Sequence, residues 1–100
     1  MSNVMKIEDI RLRIENRHGD LERLGVATLR LFGSHARGEA RAGSDIDLVV
    51  AFESPASYDA FMDLKFLLED ALGCAVDLVT EAALRPQLRS RIDRESVRVA

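Results

Sequence analysis

The sequence predicts a small α/β (α+β) domain in which helices cover one face of a mixed sheet. Its 100 residues suffice for one compact domain. An apolar content of 47% and a charged content of 31% are typical of globular proteins. Three short runs of strand-forming residues alternate with amphipathic helical patterns. We therefore treat residues 1–100 as a single domain whose sequence motifs lie in a central part, residues 26–79.

Two helices are predicted at the N-terminus. Apolar residues recur there at helical intervals, at Ile7, Ile10, Ile14, Leu21 and Leu24. Gly19-Asp20 is expected to divide this stretch into a longer and a shorter helix, and Gly25 suits the end of the second.

Three strands are predicted, over Val26–Phe32, Asp45–Phe52 and Cys74–Val79, because β-branched and apolar residues alternate with polar ones in each. Between the first two strands, His35–Arg41 has the pattern of a short helix. Ser34 is a good N-cap for it, since its hydroxyl can accept a hydrogen bond from the first turn.

The C-terminal half adds helices around the third strand. An amphipathic helix is predicted after Ser54-Pro55, and it stops at Gly73. A helical turn at 82–84, a helix over 86–95 and an extended end at 97–99 follow. The predicted order is helix, helix, strand, helix, strand, helix, strand, helix.

Composition argues against several classes of function. A net charge of −3 argues against a general nucleic-acid-binding surface. The single cysteine, Cys74, excludes an internal disulfide. No apolar run reaches the roughly 18 residues that cross a bilayer, and the charged residues after Met1–Lys6 are not typical of a signal peptide. We expect a soluble cytoplasmic protein that does not associate with membranes.

Two carboxylates at the start of the second strand are candidate metal ligands. Asp45 and Asp47 are two positions apart in an extended segment, so their side chains share one face. Like charges this close repel unless a cation lies between them, and Mg²⁺ prefers such oxygen ligands. A solvated strand start, with Asp45 capping a turn, is the alternative interpretation.

Gly33-Ser34 is a candidate anion site. These residues lie where a strand passes into a helix, and the first backbone N–H groups of a helix lack internal partners. Glycine allows a phosphate to approach the main chain, and the hydroxyl of Ser34 can add a hydrogen bond. A simple capped turn is the alternative.

Asp77 lies in the apolar third strand. If Val76 and Leu78 join the core, alternation places Asp77 on the same open face as Asp45 and Asp47. Three carboxylates, two metal ions and a triphosphate form the arrangement used for phosphoryl or nucleotidyl transfer.

The spacing of Gly33-Ser34 and Asp45-x-Asp47, with ten residues between them, matches the signature of the polymerase-beta-like nucleotidyltransferase superfamily. Residues 32–50 and the short chain resemble the minimal nucleotidyltransferases. These are antitoxins of bacterial and archaeal toxin–antitoxin pairs whose toxins are HEPN ribonucleases. The resemblance covers most of the chain.

The resemblance implies a role for each matching residue. Asp45 and Asp47 would hold two Mg²⁺ ions, and Gly33 and Ser34 would bind the triphosphate of ATP. Asp77 would share the catalytic metal and help deprotonate the attacking hydroxyl. Arg37 matches the family's motif arginine, and it would either contact phosphate or brace the Asp45–Asp47 loop.

The resemblance also bears on the role of His35 and on the substrate. His35 lies at a position that the family leaves variable, and a structural role is expected for it. The resemblance implies a protein adenylyltransferase that moves AMP from ATP to a tyrosine of a HEPN toxin. It would act as a type VII-like antitoxin that can assemble with that toxin. The alternatives are a non-catalytic antitoxin that blocks its toxin by binding, and a nucleotidyltransferase acting on a small molecule.

Overall fold

A computed structural model describes residues 4–100, and the predicted order of helices and strands is confirmed there. The helices are α1 (Ile7–Glu15), α2 (His18–Arg23), α3 (Gly33–Arg37), α4 (Tyr58–Leu72) and α5 (Pro86–Glu95), with a short 3₁₀ helix at Glu81–Ala83. The strands are β1 (Val26–Phe32), β2 (Ile46–Phe52), β3 (Val76–Thr80) and β4 (Val97–Arg98).

The N-terminal segment leads directly into α1. Glu8 and Asp9 lie in the first turn of this helix, where negative charge suits the helix dipole. The expectation that the N-terminus is not a signal peptide falls partly on residues 1–3, which lie outside the described residues. Across residues 4–100, no helix has the length and apolar character needed to span a bilayer.

The four strands form one mixed sheet in the order β3-β2-β1-β4. β1 runs antiparallel to both β2 and β4, whereas β2 and β3 are parallel. Parallel neighbours need a crossover connection, and α4 supplies it. As a result, the start of β2 lies between the start of β3 and the end of β1.

One face of this sheet carries the core. Leu29, Leu31 and Leu48 are fully buried, and their neighbours in sequence point to the other face. The helices that cover this face are α1, α2 and α4, which bury Ile10, Ile14, Leu21, Leu64, Leu68 and Leu72 in the same cluster. The predicted α/β class, with a mixed sheet and a helical layer on one face, is confirmed.

The opposite face is more polar, and α5 approaches it. Arg30, on this face of β1, donates a hydrogen bond of 2.7 Å to Asp93 of α5 and lies 3.5 Å from Glu81. Ile92 of α5 and Val49 of β2 are buried but lie outside the main cluster. Ion pairs and a small apolar contact therefore hold the C-terminal helix beside the open face.

Several predicted boundaries are exact and others shift. β1 and α5 have the predicted limits, and α4 ends before Gly73, which adopts the left-handed conformation. The break between α1 and α2 falls at residues 16–17, and Gly19 lies inside α2, contrary to prediction. The second and third strands begin one and two residues later than predicted. Local propensity places such ends poorly because neighbouring elements decide them.

The prediction that Ser34 caps a helix over 35–41 is wrong. α3 begins at Gly33, so Ser34 lies inside it, and no side chain caps this helix. The helix also ends at Arg37, because Gly38 adopts the left-handed conformation with a φ of 73°. The N-terminus of this helix, proposed from the sequence as an anion site, therefore begins two residues earlier than predicted.

Replacing Leu48 with alanine should lower the free energy of unfolding by about 2–5 kcal/mol, because it leaves a cavity in the centre of the sheet. Leu12→Ala is the matched control, since Leu12 is 58% exposed on α1, and it should change stability by no more than about 0.5 kcal/mol. Urea unfolding measures both. Equal losses would show that the core does not centre on β2.

Candidate functional site

Asp47 lies at the centre of the polar edge formed by three strands. Its register partner in β1 is Phe32, and its register partner in β3 is Asp77. Val76 and Leu78 pair with Ile46 and Leu48, so the predicted placement of Asp77 on the face of Asp47 is confirmed. Two carboxylates are thus neighbours on adjacent strands.

Asp45 directly precedes β2 and is exposed, as is Asp77, whereas Asp47 is half-buried. Asp45 is near enough to act electrostatically on Asp47. The three carboxylates that the sequence singled out therefore surround one end of the sheet. Two of them face water and the central one is partly withdrawn from it.

Gly33 makes room for Asp47. A Cβ atom on Gly33 would lie only 2.2 Å from Oδ2 of Asp47, so a larger residue there would require the Asp47 carboxylate to move. Gly33 also has a φ of 72°, a conformation that L-residues rarely adopt. The sequence suggested that this glycine admits a phosphate, and the structure shows that it also admits the carboxylate of Asp47.

Ser34 and the main chain of α3 lie beside this carboxylate. Ser34 is half-buried in the first turn of the helix, and the first turn of any helix has N–H groups without partners inside the helix. Because α3 packs against the end of β1 and the start of β2, these groups lie next to the acidic residues. A negatively charged ligand and a cation could therefore occupy adjacent positions.

Electrostatics favours a positive ligand at Asp47. Burial raises the pKa of the Asp47 carboxyl above its ordinary value, and the negative charges of Asp77 and Asp45 raise it further. The positive charges of His35, when protonated, and of Arg37 oppose this rise. Ionised Asp47 is therefore destabilised by its surroundings, and a bound cation would relieve that cost.

Arg37 is held by carboxylates outside this group. Its Nε donates a hydrogen bond of 3.1 Å to Glu39, and its Nη1 lies 4.0 Å from Glu95 at the end of α5. The sequence left open whether Arg37 contacts phosphate or braces the Asp45–Asp47 loop. In the structure its ion pair with Glu95 links α3 to α5.

His35 is the residue near this site whose burial the sequence did not predict. It is only 7% exposed, and its Nδ1 atom is buried without a hydrogen-bond partner in the described part of the chain. α3 has five residues, which is too short for apolar periodicity to show which face is buried. No signal in the sequence could have identified this environment.

The donor set suits a hard divalent cation. Carboxylate oxygens are the ligands that Mg²⁺ prefers when phosphates and water complete its shell. Among residues 4–100, however, no three Asp, Glu, His or Cys side chains converge tightly enough to form a ready-made metal cluster. The repulsion at Asp47 and the oxygen chemistry nevertheless fit Mg²⁺, with substrate phosphates supplying further ligands.

A cavity of about 690 Å³ lies away from these residues, at the far ends of β2 and β3. Its walls include Phe52, Tyr58, Phe61 and Thr80. It contains none of the three aspartates, so we place the chemistry at the shallow acidic edge and not in this cavity.

Comparisons with known proteins agree with this geometry. A family model described as a nucleotidyltransferase domain matches residues 9–99. The chain is 42% identical over 78 residues to a protein adenylyltransferase, MntA, of Thermococcus cleftensis, covering 78% of this chain and 79% of that protein.

Solved structures show the same similarity. A structure described as a minimal nucleotidyltransferase superposes with a TM-score of 0.81 and 43% identity, covering 95% of this chain and 97% of that one. A chain from a mutant toxin–antitoxin structure named MntA-HpeT superposes with a TM-score of 0.64 and 28% identity, covering 84% of this chain and 69% of that one.

Gly33→Ala should destabilise the protein more than Gly38→Ala. Both glycines have nearly the same positive φ, but a Cβ on Gly38 meets nothing within 4 Å. Gly38→Ala should therefore cost about 1–2 kcal/mol from backbone strain alone, and Gly33→Ala should add the clash with Asp47. In an Asp47→Ala background, the difference in stability loss between the two glycine variants should shrink. Urea unfolding of each glycine variant in both backgrounds measures this difference. Equal losses at Gly33 and Gly38 in the wild-type background would contradict a close contact between Gly33 and Asp47.

Asp47→Asn should stabilise the metal-free protein at pH 7. Because the folded state raises the pKa of Asp47 above the ordinary value of 3.8, the folded state binds more protons just above that pH, and stability falls as the pH rises through this window. Asparagine cannot ionise, so it avoids this loss. The gain in free energy of unfolding from Asp47→Asn should therefore appear at pH values above the raised pKa of Asp47 and vanish below pH 3.8.

The measurement is chemical unfolding with a chelator present, from pH 3 to pH 8. In an Asp77→Asn background the gain from Asp47→Asn should be smaller, because one of the repelling charges is gone. A gain that does not vary with pH would contradict the electrostatic explanation.

Proposed function

The chain belongs to the nucleotidyltransferase domain family and, within it, to the minimal nucleotidyltransferases, and we propose that it is a protein adenylyltransferase that acts as an antitoxin. It transfers AMP from ATP to a tyrosine hydroxyl of a cognate HEPN ribonuclease toxin. The observation that carries this proposal is the position of Asp47, which lies against Gly33 and pairs in register with Asp77.

In the proposed site, Asp45 and Asp47 hold two Mg²⁺ ions, and Asp77 shares one of them. When bound, the ions neutralise charge on the triphosphate and on the leaving group. Gly33 and Ser34 hold the phosphates through the free N–H groups of α3 and the serine hydroxyl. Arg37 reaches phosphate only after release from Glu39 and Glu95, and otherwise it fixes α3 against α5.

The chemical step is a substitution at the α-phosphorus of ATP. The oxygen of the acceptor hydroxyl forms a bond to this phosphorus, and the bond to the oxygen that leads to the β-phosphate breaks. Pyrophosphate leaves with that oxygen, and the proton of the hydroxyl passes to Asp77. Asp77 suits this role because it is exposed and lies beside Asp47 on the open face.

A protein acceptor is supported by the descriptions of two similar proteins. The Thermococcus relative is named a protein adenylyltransferase, and the mutant MntA-HpeT structure is of a toxin–antitoxin pair. We therefore propose a cytoplasmic antitoxin, folded as one domain over 1–100, that assembles with its toxin and does not bind nucleic acid.

A titration tests this proposal, with a HEPN-type toxin as the acceptor. A catalytic amount of the protein with ATP and Mg²⁺ should inactivate an excess of toxin, and intact-mass measurement should show AMP that persists after separation. Asp77→Asn should lower the rate of transfer about 10²–10⁴-fold while it still binds the toxin.

The double variant Asp45→Asn/Asp47→Asn is the control for the metal. It should fold, because it removes repulsion, and it should transfer no AMP at any Mg²⁺ concentration. Neutralisation only near a one-to-one ratio, without nucleotide and by all variants alike, would instead indicate an antitoxin that acts by binding. Transfer of AMP only to a small molecule would indicate a nucleotidyltransferase that acts on small molecules.

A further inference from the structure

His35 is a buried polar side chain without a hydrogen bond. The residue is only 7% exposed, and its Nδ1 atom is buried and unpartnered within residues 4–100. Native proteins rarely leave such an atom unsatisfied, and those that do occur call for an explanation such as a bound ligand or a functional role. Phenylalanine or leucine would fill the same space without this cost.

Asp47 lies in the same region of the molecule. Its carboxylate is half-buried, and its Oδ2 atom lies beside Gly33, the first residue of the helix that carries His35. His35 lies close enough to influence the charge of Asp47, and α3 packs on the strand that carries Asp47. The unpartnered Nδ1 atom of His35 and the carboxylate of Asp47 thus lie in the same small region.

We propose that His35 is a positioning residue for Asp47: when nucleotide and Mg²⁺ bind, Nδ1–H of His35 donates a hydrogen bond to one oxygen of the Asp47 carboxylate. The inference rests on the proposed function, because Asp47 must then be a metal ligand. The two side chains are not hydrogen-bonded in the structure, so a rotation of one of them accompanies ligand binding.

Such a bond has a clear physical purpose. A carboxylate that binds a metal through one oxygen is oriented by a hydrogen bond to the other. At Asp47 the contact with Gly33 fixes Oδ2 on one side but supplies no donor. His35 provides a donor from inside the protein, so the backbone N–H groups of α3 stay available to phosphate.

Two substitutions at His35 separate this role from packing. His35→Phe fills the pocket but has no donor, and His35→Asn places an amide donor near the position of Nδ1. His35→Phe should not lower the free energy of unfolding of the free protein, since it removes a buried polar atom without a partner. It should weaken binding of Mg²⁺·ATP about 10–100-fold, and His35→Asn should recover much of that affinity.

Titration calorimetry with Mg²⁺·ATP measures the affinities, and urea unfolding measures stability. NMR of ¹⁵N-labelled imidazole gives a direct view in the unmutated site. The chain has two histidines, and His18→Gln leaves His35 alone, because His18 is exposed on α2 and pairs only with Glu22. Saturation with Mg²⁺·ATP should shift the Nδ1 resonance and move the attached proton downfield, as formation of a hydrogen bond to a carboxylate requires.

The outcomes distinguish this inference from the function on which it rests. If Asp47→Ala loses Mg²⁺·ATP binding but His35→Phe binds as the wild type does, the inference is wrong and the proposed function stands. If Asp47→Ala binds Mg²⁺·ATP normally, both are wrong. An Nδ1 resonance that is unchanged by Mg²⁺·ATP would overturn the inference even where His35→Phe proves unstable.

Discussion

The contact between Gly33 and Asp47 is the constraint on which the rest of the site depends. The Asp47 carboxylate lies within 2.2 Å of the position that a Cβ on this residue would take, and Gly33 also starts α3 in a left-handed conformation, so both observations favour glycine at this position. The direction of α3 then determines where its N–H groups and His35 lie. The close approach of Asp47 to Gly33 therefore links the sheet, the first turn of α3 and the acidic edge.

The topology supplies the second carboxylate. Because α4 crosses over the apolar face, β3 returns parallel to β2, and equivalent positions in the two strands become neighbours. Asp77 reaches Asp47 by this register and not by closeness in sequence, since thirty residues separate them. The same alternation that buries Val76 and Leu78 on one face presents Asp77 on the other.

Helices and strands whose pattern extends over several residues could be predicted from the sequence, whereas features that depend on a single contact could not. The alternation in Val26–Phe32 and the helical spacing in Pro86–Glu95 each involve several residues, and both elements have the predicted limits. The shared face of Asp47 and Asp77 followed from alternation in the same way. Ser34 was misplaced because α3 begins at Gly33, a residue with a left-handed conformation that lies against Asp47 of another strand. The burial of His35 depends likewise on neighbours that local sequence does not contain.

The openness of the site explains why such a small protein would act on another protein. Asp45 and Asp77 are exposed, and water competes strongly for both a cation and a phosphate in such surroundings. An enzyme gains most from its charges when substrate binding excludes water. Here the two outer carboxylates of the acidic edge stay open to water. Under the proposed function, the surface of the acceptor excludes that water, so that docking of the toxin and completion of the site are one event.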